Sequence, residues 1–136
     1  MGNNIVFIHT REDINHYTKK AQKELGEEYE IRTLQNPYNN SKKTGKDFRK
    51  NPIAEMDYFV KLINHVRKSR FIQKNKEAPL LLYDMKYAPL IRNAGYQGEI
   101  IVFGSVQSEY EPHVNKIEVD IYDATKTLAN ILKETN

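Results

Sequence analysis

Three continuous apolar runs and two alternating ones organise this chain. Ile5-Val6-Phe7-Ile8, Leu80-Leu81-Leu82-Tyr83 and Ile100-Ile101-Val102-Phe103 are aliphatic and aromatic throughout. That is the pattern of strands covered on both faces, and it predicts core strands at 4–8, 79–83 and 99–103. Residues 28–34 and 116–121 alternate polar and apolar and predict two further strands, the first nearer a sheet edge. Between the first two strands, Ile14, Tyr17, Ala21 and Leu25 recur at helical spacing. Thr10, three residues before Asp13, offers an N-cap, and Gly26 a C-terminal stop. Pro52 stands where a first helical turn tolerates it, and Ile53, Met56, Phe59, Val60, Ile63 and Val66 mark one face of a long helix. Lys61, Arg67, Lys68 and Arg70 fall largely off that stripe. A short helix at 89–94 is closed by Gly95, residues 106–115 show no periodicity, and Asp123 caps a last helix carrying Leu128, Ile131 and Leu132. Strands alternating with helices predict an α/β fold, with a parallel sheet and helices on both faces.

The length of 136 residues fits one domain with a core that needs no disulfide or structural metal. Cysteine is absent, which removes disulfide frameworks, thiolate metal sites and cysteine nucleophiles together. The apolar stretch near the start, Ile5 to Ile8, is too short for a signal peptide or a membrane span, so the expected location is cytoplasmic. Charge changes the picture more than composition does. The formal net charge is +3, yet residues 42–76 hold 11 Lys or Arg against three acids, a net of +8. The remaining residues carry 10 bases and 15 acids, a net of −5. Such segregation bears on partners rather than on fold. Residues 35–52 form a long polar loop rich in Asn, Lys and Gly, so an extension of loop and helix spans about residues 36–76 of a single domain 1–136.

Within this frame, short stretches resemble phosphoacceptor receiver domains. Residues 5–14 resemble the receiver opening, 29–33 its second strand, and Leu81-Leu82-Tyr83-Asp84-Met85 its phosphoacceptor strand. Residues 96–102 resemble the fourth strand and its approach, with Ser105 at the switch Ser/Thr position, and Tyr122-Asp123 resembles the final unit. The resemblance implies a flavodoxin-like three-layer sandwich with a five-stranded parallel sheet. It also implies a departure in chemistry. His9 and Thr10 stand where receivers carry an acid pair, and Asp120 falls near the position of their Lys. Of the carboxylates that hold Mg²⁺ in receivers, only the counterpart Asp84 is present. Phosphoryl transfer through a bound divalent ion needs the others. The resemblance therefore implies a pseudo-receiver, with no catalytic residue, metal or cofactor expected.

His9, Thr10, Asp84, Ser105 and Asp120 are expected at one rim, the strand C-termini where open α/β sheets bind ligands. A capping role explains Asp84 equally well. A Ser–His–Asp triad is disfavoured, because Ser105 lacks the Gly-x-Ser-x-Gly elbow. His16, His65 and His113 show no paired ligand spacing, and no phosphate-cradling glycine loop is present. The basic residues Lys42, Lys43, Lys46, Arg49 and Lys50, interleaved with Tyr38 and Phe48, and further on Arg67, Lys68 and Arg70, suit an acidic protein surface or nucleic acid. A solvated lysine-rich loop is the plain alternative. The leading expectation is a non-catalytic regulatory module binding an acidic macromolecule, and a nucleic-acid-binding protein is one rival. Residues 7–13 also look a little like the first box of TIR domains, which include NAD hydrolases. That likeness keeps open a small nucleotide- or NAD-processing enzyme, with Glu55 as a positional guess for its acid.

Overall fold

In the computed structural model, which describes residues 4–9, 14–34 and 52–117, the apolar runs lie side by side. The strands are β1 (Asn4–His9), β2 (Tyr29–Thr33), β3 (Leu80–Asp84), β4 (Ile100–Ser105) and β5 (Lys116–Ile117). They form one sheet in the order β2-β1-β3-β4-β5, every pair parallel. This is the expected flavodoxin-like α/β arrangement, and the alternating strand of 29–33 does lie at an edge of the described sheet. The described helices are α1 (Ile14–Leu25), α2 (Pro52–Lys68), α3 (Arg70–Lys74) and α4 (Ala88–Asn93). One 3-10 turn covers Met85–Tyr87, and a longer 3-10 segment covers Ser108–His113. The last strand is described only to Ile117, so the expected cap at Asp123 and the final helix lie outside the described residues, as do Thr10 and the loop 35–51.

Because side chains alternate along a strand, the sheet divides its apolar residues between two layers. Phe7, Leu80, Leu82, Ile100 and Val102 face the layer built by α2, α3 and α4, with Tyr58, Leu62, Val66, Ile72 and Ile91 packed on them. Val6, Ile8, Leu81, Ile101 and Phe103 face the other way, where Ala21 and Leu25 of α1 cover them. Gly26 ends α1 at φ 84°, a left-handed conformation that only glycine adopts without strain. Gln22 then ties the helix end to the next strand, donating to the carbonyls of Gly26 and Tyr29 at 2.7 Å each. On the far side, Arg92 of α4 donates to His113 O at 3.1 Å and to Asn115 Oδ1 at 2.9 Å. Asn115 Oδ1 also accepts from Ile100 N at 2.9 Å, which anchors the entry to β5 against β4.

The expected apolar stripe of α2 divides. The face that packs on the sheet is Tyr58, Leu62 and Val66, with Phe59 and Ile63 half-buried beside it. Ile53, Met56 and Val60, which the sequence sets on one stripe with Phe59, Ile63 and Val66, are 80%, 66% and 57% exposed. The helix is apolar on both sides over its first half, and the choice of side was made by the sheet. Its aromatic and aliphatic surface at Phe7, Leu80 and Leu82 accommodates Tyr58, whose hydroxyl also finds a polar partner there. No helix among the described residues is long and apolar enough to cross a membrane.

Candidate functional site

The chain leaves β1 toward β2 on one side and returns to β3 on the other. The topological switch point is therefore the gap between β1 and β3, where open α/β sheets form a ligand crevice beyond the strand C-termini. His9 ends β1 and Asp84 ends β3, so both candidate residues flank that point. Ser105 ends β4 and is paired in register with Asp84 across a local irregularity of the ladder. The backbone thus brings His9, Asp84 and Ser105 to one rim, as expected. Thr10 and Asp120 lie outside the described residues.

His9 is fully buried. Strand alternation directs its ring to the α2 side, and Nε2 is hydrogen-bonded to Tyr58 Oη at 2.7 Å. The ring also lies 4.8 Å from that of Tyr87, centroid to centroid. Tyr87 is packed edge-on by Tyr58 and by Phe59, each at 5.6 Å. A buried imidazole packed between the rings of Tyr58 and Tyr87 and bonded to a helix side chain is a joint between β1 and α2. It is not an open ligand.

Asp84 is 8% exposed and works locally as a cap. Its Oδ1 accepts from Lys86 N at 3.1 Å, closing the 3-10 turn that follows β3. That turn swings the Lys86 side chain back over the rim. Lys86 Nζ lies 3.7 Å from Asp84 Oδ2 and 2.9 Å from Oε1 of Glu55, which α2 supplies from its first turn. The ammonium also sits 5.5 Å from the Tyr87 ring centroid, within cation–π range. The three charged side chains retain only 11–21% exposure. In such a setting the interaction is screened far less than at an open surface.

The rim therefore holds a cation of its own. Glu55, Tyr58, Lys86 and Tyr87 complete the constellation, and of these the sequence suggested only Glu55. The Asp84-Met85-Lys86 step, an aspartate two residues before a lysine at a strand end, is the one local signal that Lys86 might have given. Among the described residues, no group of three or more His, Asp or Glu converges as a metal site.

The described part of the basic extension points elsewhere. Arg67, Lys68 and Arg70 are exposed, and Arg67 Nη2 donates to Asn93 O at 3.2 Å. Lys61 pairs with Asp57 at 2.9 Å one turn earlier on the outer side of α2. Lys42, Lys43, Lys46, Arg49 and Lys50 lie outside the described residues. His65, half-buried on α2, has its pKa lowered from the usual value by desolvation. An open cavity of about 500 Å³ beside Asn4, Lys74 and Lys76 lies at the N-terminal end of β1, opposite the rim.

Comparison of the chain with known protein families, with curated proteins and with solved structures finds no match. The likeness to receivers and to TIR domains rests on the short stretches of sequence named above.

Proposed function

We propose that this domain is a pseudo-receiver, a non-catalytic module that regulates by binding an acidic macromolecular partner. The observation that carries the reading is Lys86. Its ammonium stands 3.7 Å from Asp84 Oδ2 and 2.9 Å from Glu55 Oε1, beside the aspartate that resembles the receiver phosphoacceptor. An ammonium neutralises carboxylate charge and donates hydrogen bonds, but it has no coordination positions through which a phosphodonor and an aspartate can be bridged. Asp84 is also engaged through its other oxygen in capping the following turn. Both carboxylates thereby share a counter-ion supplied by the fold itself, and the exposed cations Arg67, Lys68 and Arg70 remain available to a partner. Incubation with acetyl phosphate and Mg²⁺, followed by mass spectrometry of the intact chain and its peptides, tests the non-catalytic half. No phosphoryl adduct at Asp84 is expected. An adduct there that disappears in Asp84→Asn overturns the reading.

A second reading, a small nucleotide- or NAD-processing enzyme, draws support from one observation. Glu55 comes to the rim at the switch point, on a helix that follows the long loop. Its pairing with Lys86 at 2.9 Å argues against a free catalytic carboxylate. Release of nicotinamide from NAD by the purified chain, lost in Glu55→Gln, would establish this reading over the first.

A further inference from the structure

The outer side of α2 carries a feature that the core does not explain. Ile53, Met56 and Val60 stand at i, i+3 and i+7, so they form one row along the helix, and all three are more than half exposed. The row lies about half a turn of the helix away from Tyr58, Leu62 and Val66, which face the sheet. Asn64 and Arg67 continue the same row toward the C-terminus, both exposed. Lys61 and Lys68 flank it, and Arg70 follows in α3. The result is an aliphatic ridge that becomes cationic over its second half. From Ile53 to Arg67 it runs about 21 Å at the helical rise per residue. Contiguous exposed apolar rows rimmed by charge mark interaction surfaces more often than chance exposure does.

Charge selects among occupants. The outer side of α2 carries Lys61, Arg67 and Lys68 against Asp57, a net of +2, and Arg70 follows in α3. Asp57 is paired with Lys61, which leaves Arg67 and Lys68 as the cations of the ridge, and Glu55 is turned to the rim and paired with Lys86. A second copy of the chain would set one basic face against another, at a repulsive cost. Single-stranded nucleic acid would bring compensating phosphates, but its bases bind by stacking on aromatic planes, and this ridge offers only aliphatic side chains. A protein segment with its own aliphatic row flanked by carboxylates meets both halves at once. We infer that the outer face of α2 docks an acidic amphipathic helix of a partner protein, of about four turns. Ile53, Met56 and Val60 pack on its apolar row, and Arg67 and Lys68 pair with its Asp and Glu side chains. Two helices in contact at 8–10 Å interdigitate such rows as ridges and grooves. This inference rests on the interaction-module reading and adds the chemistry and conformation of what is bound.

The test uses the full chain and labelled synthetic peptides of about four helical turns. One carries Leu along one face and Glu over the rest; its counterpart carries Lys in place of every Glu. Fluorescence anisotropy is expected to show the Glu peptide binding at least about tenfold more tightly than the Lys peptide, a difference of about 1.4 kcal/mol. Met56→Ser with Val60→Ser, and separately Arg67→Glu with Lys68→Glu, should each weaken the Glu peptide by a similar factor. Circular dichroism melts are expected to be little changed, because all four side chains are exposed. Equal binding of the two peptides, or no binding of the Glu peptide, overturns the inference. So does a labelled oligo-dT that outcompetes the Glu peptide and is insensitive to the Met56/Val60 variant. A dimer in sedimentation velocity that dissociates in the same variant overturns it in favour of a second copy. None of these outcomes touches the phosphodonor experiment, so a failure of this surface and a failure of the pseudo-receiver reading are separately visible.

Discussion

Replacing Lys86 by Met removes the one cation between two carboxylates while keeping most of the side chain's volume. Asp84 Oδ2 lies 3.7 Å and Glu55 Oε1 2.9 Å from the same nitrogen, so the two oxygens are within 6.6 Å of each other, the sum of those distances. At an effective dielectric constant of about 20, two like charges at that separation repel by roughly 2.5 kcal/mol. Solvent reaches part of each group, and the side chains can move apart, so a net loss of about 1–3 kcal/mol is expected. For a chain of this size that lowers Tm by about 4–12 °C. Thermal unfolding followed by circular dichroism at pH 7 reads the loss directly. Lys86→Arg, which keeps a cation, should lose less than Lys86→Met. A Lys86→Met protein as stable as the parent at pH 7, or a Lys86→Arg protein that loses as much as Lys86→Met, refutes the assignment of Lys86 as the counter-ion of this rim.

The other predictions concern the joint, the core and one titrating group. Tyr58→Phe deletes the hydroxyl bonded to buried His9 and should cost about 1–2 kcal/mol in denaturant unfolding, whereas an unchanged midpoint would remove this bond from the account of the fold. Gly98→Ala would place a Cβ 1.8 Å from Ala78 O, a backbone atom that cannot swing aside, so a loss of at least about 2 kcal/mol is expected in the same assay. Loss of less than half that would mean that this close approach relaxes easily. His65 should titrate below the ordinary histidine value of 6.5 in an NMR pH series of the folded chain, because burial disfavours its charged form. A histidine whose folded pKa is depressed contributes stability that is present above the unfolded pKa and is lost as pH falls through the folded one. His65→Gln should therefore flatten stability against pH below 6.5, and a His65 resonance titrating at or above that value would contradict the burial argument.

Much of the architecture was legible along the chain because a strand covered on both faces cannot tolerate polar residues. Ile5–Ile8, Leu80–Leu82 and Ile100–Phe103 therefore announce β1, β3 and β4 to within a residue or two. Gly26 likewise marked the end of α1, since its φ of 84° suits no side chain. The orientation of α2 was not legible. Ile53, Met56 and Val60 share an apolar stripe with Phe59, Ile63 and Val66 along the sequence, and periodicity alone does not set which edge of that stripe meets the sheet. The tertiary structure decided it, through the sheet surface that Tyr58 packs on and a hydrogen bond to His9, 49 residues away in the chain. The rim divides in the same way. Strand ends placed His9, Asp84 and Ser105 in sequence terms, because parallel strands share one C-terminal edge. Which charges meet there depended on a turn that folds Lys86 back and a helix that delivers Glu55 from 31 residues upstream. Local pattern determines elements, whose hydrogen bonds and alternation are short-range. Pairings such as Lys86 with Glu55 follow only once packing has set the helix face, because the Coulomb and hydrogen-bond partners are chosen by distance in space.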